Sequence, residues 1–282
     1  MAQDPPASGL EWSTHDVKAL RQAYADMQSA FLPDAAVDVS VDELAILGFN
    51  GLIFTPAALR STTPILYFHG GRWVAGSPWT HLPLCSWVAG LTGQRVISAR
   101  YALAPEHPFP AQKIDAVTAL NALAQGRIAL VGRPRHIVLA GDDAGAAVAL
   151  WAEAGVRPAT RALIERIVSL YGIFGLRDSF SLGKFGPLTP GLSSKDVLAM
   201  YARLGDRLPP TMTRSFLAKG APLTVLIAGG DPLADDSHAL VKWARGGGRA
   251  VRIVEAEELP RDALHAAGRS EEIMKWLRAA LE

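Results

Sequence analysis

The chain has 282 residues, 49% of them hydrophobic, and its 28 basic residues nearly cancel its 27 acidic ones. That is enough for one large core with a small appendage. Without a basic run or a basic–aromatic stripe, nucleic acid and an anionic membrane surface are excluded as expected partners, which leaves a small, fairly apolar molecule as the expected substrate.

The polar N-terminus, "MAQDPPASGLEWSTHD", lacks an apolar signal core, and no apolar run approaches the ~20 residues of a membrane helix. The expectation is a cytoplasmic protein, with a homodimer allowed. Cys85 is the single cysteine, so no internal disulfide is available. Its setting, "LPLCSWVAGL", reads as a helix packed on a core and makes it a buried structural thiol.

Taken in chain order, Val17 to Leu32 show helical spacing that Pro33 ends. "ELAILGFNGLIFT" reads as two strands joined at Phe49-Asn50-Gly51. "PILYFHGG" is a short buried strand stopping at a glycine pair. A helix follows from Leu82 to Leu91, then the strand "QRVISARY", a helix from Ala111 to Ala124, the strand "RHIVLAGDD" and a helix from Ala144 to Ala154. "ALIERIVSLYG" ends in a strand. Ile173 to Gly220 is rich in Gly, Pro and Ser and holds one helix, "KDVLAMYARLG", a length typical of a lid. The strands "PLTVLIAGGDPL" and "RAVRIVEA" flank a helix from Asp235 to Arg245, and Gly268 to Leu281 form a closing amphipathic helix. Strands alternating with helices predict an α/β fold with an open, mostly parallel sheet flanked by helices, whose chemistry lies at the carboxyl ends of the strands.

Four strand ends carry residues suited to that chemistry. They are His69-Gly70-Gly71, then Gly141-Asp142-Asp143-Ala144-Gly145, then Gly230-Asp231-Pro232, and last His265 in "DALHAAG". The second has the G-x-S-x-G shape of a nucleophile elbow, with Asp143 in the serine's place, and elbow, acid, histidine is the chain order this fold uses. Asp231 is placed to orient His265, and His265 to exchange a proton with Asp143.

The motifs "YFHGGRWVAGSPWTH", "SARYALAPEHPFPAQKIDA", "GDDAG" and "GGDPLADD" together resemble the hormone-sensitive-lipase-like, bacterial carboxylesterase family of α/β-hydrolases, from about Ile65 to the C-terminus. The resemblance implies a core of residues 36–173 and 221–282 under a helical cap of 1–35 and 174–220. It implies an oxyanion hole from the backbone N–H groups of Gly70, Gly71 and Ala144. It gives His69 a role in orienting that loop, and Glu106 and Asp115 structural roles. Arg72 stands where the family has a third glycine, and with His69 and Trp73 it is a candidate for the pocket. Ala266-Ala267 replace a common Gly-Phe.

Asp143 excludes acyl-serine turnover. A carboxylate attacking an acyl carbon gives a labile anhydride, whereas at an sp³ carbon it forms an ester that water can hydrolyse, as in the epoxide hydrolases and haloalkane dehalogenases of this fold. Tyr171, Tyr201, Trp73, Trp79 and Trp87 are available to hold a leaving group. Alternatively, Asp143, His265 and Asp231 form an acid/base set beside an oxyanion hole, suited to elimination, dehydration or cyclisation. Two further alternatives are a silent binder, as in the plant gibberellin receptors on this scaffold, and a serine hydrolase inactivated by substitution. No cofactor is expected. Nor is a metal, since Asp142 and Asp143 point apart at a turn and no His or Glu cluster accompanies them in sequence.

Overall fold

A computed structural model describes residues 10, 12–14, 16–46, 48–205, 217, 219–257 and 259–282. Part of the expected cap, 1–9 and 206–216, lies outside the described residues. In chain order the strands are β1 (Val39–Ile46), β2 (Phe49–Pro56), β3 (Ile65–Phe68), β4 (Val96–Ala99), β5 (Ile137–Asp142), β6 (Ile164–Leu170), β7 (Leu223–Ala228) and β8 (Val251–Ala256). They form one eight-stranded sheet in the order β1-β2-β4-β3-β5-β6-β7-β8, antiparallel from β1 to β4 and parallel from there to β8. The α/β-hydrolase fold expected from the sequence is therefore the fold observed.

The central strands are apolar throughout because both faces are covered. On β3, Leu66 and Phe68 join the core under one helical layer, while Ile65 and Tyr67 join the opposite core. The first layer includes α3 (Ala111–Ala124) and α4 (Ala144–Gly155), and the second includes α2 (Leu82–Thr92) and α9 (Glu271–Leu281). Cys85 on α2 is buried in that second core, and burial pushes its thiol pKa up.

The hairpin turn differs from expectation. Phe49, Asn50 and Gly51 lie inside β2, and the reversal falls one step earlier, where Gly48 has φ +80°. Gly51 serves close packing instead: a Cβ there would come within 2.1 Å of the Ser98 carbonyl oxygen on β4.

Residues 12–14, just ahead of α1 (Val17–Ser29), meet the segment that interrupts the alternation. That segment holds more helix than expected, with α6 (Phe180–Phe185), a 3₁₀ turn and α7 (Ser194–Leu204). The Arg203 guanidinium donates to the carbonyls of Trp12 and Thr14, and the Ser13 amide donates to Asp196 at 3.0 Å. α5 (Pro158–Arg161) leads into β6, α8 (Ala234–Gly246) follows β7, and a 3₁₀ segment, Ala263–Arg269, precedes α9.

Candidate active site

Asp143 sits between β5 and α4 with φ 51° and ψ −123°, a backbone conformation that L residues hold only when their surroundings impose it. The surroundings are tight. A Cβ on Gly145 would lie 1.9 Å from the Phe68 carbonyl oxygen, and one on Gly141 would lie 2.4 Å from Gly145 backbone. The Asp143 amide donates to the Leu170 carbonyl at 3.0 Å, and its own carbonyl accepts from Ile173 at 3.1 Å. The elbow expected from "GDDAG" is thus built, with a carboxylate at its tip.

The loop after β3 turns through three consecutive residues of positive φ, Gly71 (107°), Arg72 (55°) and Trp73 (59°). This swings the Gly71 and Arg72 amides inward, and both donate to Asp143 Oδ2, at 2.9 and 2.7 Å. The Ala144 amide adds to them and helps keep the carboxylate charged. Gly70 is not one of these donors. Its amide is spent on Asp142 Oδ1 at 3.1 Å and His81 Nε2 at 3.0 Å, and Arg72 takes its place because the left-handed turn carries the donor pair one residue along. The loop amides, expected from the resemblance as oxyanion donors, therefore hold the protein's own carboxylate.

Asp143 Oδ1 is bound by the Arg261 guanidinium, whose other terminal nitrogen donates to Asp231 Oδ2 at 2.5 Å. Burial favours the protonated form of Asp143, but Arg261 and then Arg72 outweigh it and hold the pKa below the carboxylate norm. Arg261 itself, although buried, is held well above its usual value by Asp231 and Asp143. Burial pushes Asp231 up to about 6 against the pull of Arg261. Arg261 was not foreseen. The only trace in the sequence is a cation in "LPRDALH", just ahead of the histidine.

The expected His265–Asp231 pair is not formed. The Asp231 oxygens are taken by Arg261 and by the Leu233 amide at 2.8 Å. His265, on the 3₁₀ segment before α9, instead has Nε2 3.7 Å from Asp142 Oδ2. Neither of its ring nitrogens has a hydrogen-bond partner among the described residues. The structure thus joins Asp143 to Asp231 through Arg261 and leaves His265 beside Asp142.

His69 is buried, stacks on Tyr101 with centroids 4.2 Å apart and donates from Nδ1 to the Gly70 carbonyl at 2.8 Å. Burial drives its pKa down to about 3, so it is neutral. Arg72 is buried as well: its guanidinium lies 4.3 Å from the Trp12 ring centroid and donates to the Gly191 carbonyl at 3.1 Å. Trp73 packs between Trp151 and Tyr201, each with centroids 5.9 Å away. Of the other aromatics, Trp79 is 43% exposed and Trp87 donates to the Asp34 carbonyl, whereas Tyr171 and Tyr201 are buried with no geometric hydrogen-bond partner for their hydroxyls among the described residues. Arg261 lies 5.6 Å from the Tyr171 ring centroid. No helix among the described residues is long and apolar enough to cross a membrane.

Comparison with known proteins agrees with the fold. A family model described as alpha/beta hydrolase fold matches residues 65–265. Carboxylesterase NlhH of Mycobacterium tuberculosis is 28% identical over 78% of this chain and 74% of its own length. An acetyl-hydrolase of Streptomyces hygroscopicus is 29% identical over 89% of this chain and 84% of its own. Among solved structures, an esterase of Pyrobaculum calidifontis superposes with a TM-score of 0.86 at 24% identity, covering 95% of this chain and 92% of that one. An esterase of the bacterial hormone-sensitive lipase family superposes at 0.83 and 24% identity, covering 99% and 97%. The chain belongs to the alpha/beta hydrolase fold family, with a carboxylesterase and an acetyl-hydrolase among its relatives.

Proposed function

We propose that this protein is an enzyme that opens a small, uncharged, oxygen-bearing substrate by attack of the Asp143 carboxylate, forming an aspartyl ester that water then hydrolyses. The observation that carries the reading is the seat of Asp143 Oδ2, 2.9 and 2.7 Å from the Gly71 and Arg72 amides. Once the other oxygen is esterified, Oδ2 is the carbonyl oxygen that becomes an oxyanion when water adds, and its donors are already in place. A carboxylate held below its usual pKa is a poor base but stays ionised, which suits attack at carbon better than proton abstraction.

Attack by Oδ1 requires Arg261 to release it while staying on Asp231. Tyr171 and Tyr201, held protonated by burial and without hydrogen-bond partners, are the donors for the leaving oxygen. His265, beside Asp142, is the base available to the water. The helices of 1–35 and 174–220 are read as the cap that selects the substrate.

Single-turnover reactions in heavy-oxygen water, over a panel of epoxides, lactones and esters, test this. One heavy oxygen is expected in the Asp143 peptide and none in the first product. Product formed while Asp143 stays unlabelled contradicts it. A second reading, binding without turnover, is favoured by the closure of Oδ1 under Arg261. It predicts no product from any member of the panel.

A further inference from the structure

Behind the oxyanion loop, three buried side chains from distant parts of the sequence converge. His81 Nε2 lies 3.2 Å from Asp142 Oδ2, His265 Nε2 lies 3.7 Å from the same oxygen, and ligand atoms of the three residues all fall within 4.8 Å of one another. The Thr80 hydroxyl donates to the Ser77 carbonyl at 2.9 Å, so its oxygen is left to accept from His81 Nδ1, also at 2.9 Å. That places the His81 proton on Nδ1. The Gly70 amide pointing at Nε2 requires the same tautomer. In the neutral ring with its proton on Nδ1, His81 Nε2 turns a lone pair toward a carboxylate oxygen, and the two atoms, 3.2 Å apart in a dry interior, then need a second proton or a metal ion between them. Such a pair is unfavourable unless something positive lies between them.

The rest of the cluster is oriented around that point. Asp142 Oδ1 is fixed by the Tyr67 hydroxyl at 2.7 Å and by Gly70, which leaves Oδ2 for the imidazoles. His265, 1% exposed, has no hydrogen-bond partner for either ring nitrogen among the described residues. Two ligands on a tetrahedral ion with bonds of about 2.1 Å stand about 3.4 Å apart, and the two contacts to Oδ2 bracket that value. A second shell that fixes the tautomer of one histidine and one oxygen of the carboxylate is the usual setting of a metal ligand set.

We infer that His81, Asp142 and His265 form a binding site for one divalent transition-metal ion. Two imidazoles and one carboxylate suit zinc, cobalt or ferrous iron rather than calcium or magnesium, and three protein ligands leave a position for water or substrate. The sequence expectation of no metal rested on the lack of a His cluster near Asp142; the fold supplies one from α2's N-terminal boundary and the segment before α9. The metal and the reaction proposed above compete for His265, which serves as base only in the metal-free chain.

The test is titration of the chelator-treated full chain with Co²⁺, followed by its visible absorption, with Zn²⁺ as competitor and melting temperature as a second readout. One equivalent of Co²⁺ is expected, with bands of a low-coordinate N/O site, displacement by Zn²⁺ and a raised melting temperature. His265→Gln removes a side chain that makes no hydrogen bond among the described residues, and the melting temperature of the metal-free variant checks that the fold is retained. It should weaken Co²⁺ binding by at least the ~10–100-fold that loss of even an outer partner costs. No binding to the parent chain, or binding unchanged in His265→Gln, overturns the inference.

Discussion

Arg261 carries one positive charge between two carboxylates, Asp143 and Asp231, with all three side chains sealed from water. Breaking a buried pair by removing one member costs about 3–5 kcal/mol, because the remaining charge is left without a partner. Arg261→Met is expected to lose stability on that scale at pH 8, measured by urea unfolding. The loss should shrink at pH 5, because both orphaned carboxylates then have raised pKa values in the folded state, which gains stability as protons bind. An equal loss at both pH values would show that Arg261 acts by packing alone. Asp143 and the glycines around it were legible in the sequence because a strand-to-helix turn imposes a local spacing. Arg261 was not, because its reach depends on the path of the loop after β8, where Asp262 has φ 63°. His265 was legible as a site residue, but its partner was not, since Asp142 and Asp231 both lie at strand ends and only the packed loop decides between them.

Strand and helix order followed from the alternation of buried strands with amphipathic or alanine-rich helices. The errors lay at turns and in the segment 173–220. Gly51 looked like a turn glycine and serves the antiparallel pairing of β2 with β4, a contact between residues 47 positions apart in sequence. The junction of β3, β5 and α4 depends on a similar contact, with Gly145 pressed against the Phe68 carbonyl. Gly145→Ala forces the helix off the sheet. Overpacking of this kind typically costs about 1–3 kcal/mol and here meets rigid backbone, so the upper end or beyond is expected in a denaturation midpoint. A midpoint unchanged from the parent would mean that α4 has slack the close approach denies.

At the scale of the molecule, the segment over the site is tied to α8 by a buried acid. Asp236 Oδ1 accepts from the Leu176 amide at 2.9 Å, and burial raises its pKa to about 7. A carboxyl whose folded pKa lies above its unfolded value, about 3.9, binds its proton more tightly in the folded state. Its contribution therefore becomes more stabilising as pH falls from about 7 towards 4. His69, neutral down to about 3, works in the opposite direction below the ordinary histidine pKa, so the total profile is a poor measure and the difference from a variant is needed. Relative to Asp236→Asn, the parent chain should gain stability between pH 8 and pH 5, by at most about 1.4 kcal/mol per pH unit. A pH-independent difference would show that Asp236 ionises like a surface carboxylate.

The hydrolase scaffold is kept, and in the function proposed above Asp143, held by the Gly71 and Arg72 amides, takes the place of an acyl-serine step. The most direct measurement is intact mass and p-nitrophenolate release with a short-chain p-nitrophenyl ester and a fluorophosphonate, for the parent chain and Asp143→Ser. The parent is expected to show no burst and no phosphonyl adduct, and Asp143→Ser, which frees the Gly71 and Arg72 amides, is expected to gain an adduct at position 143. A burst from the parent chain with an adduct on any serine would contradict the replacement of acyl-serine chemistry.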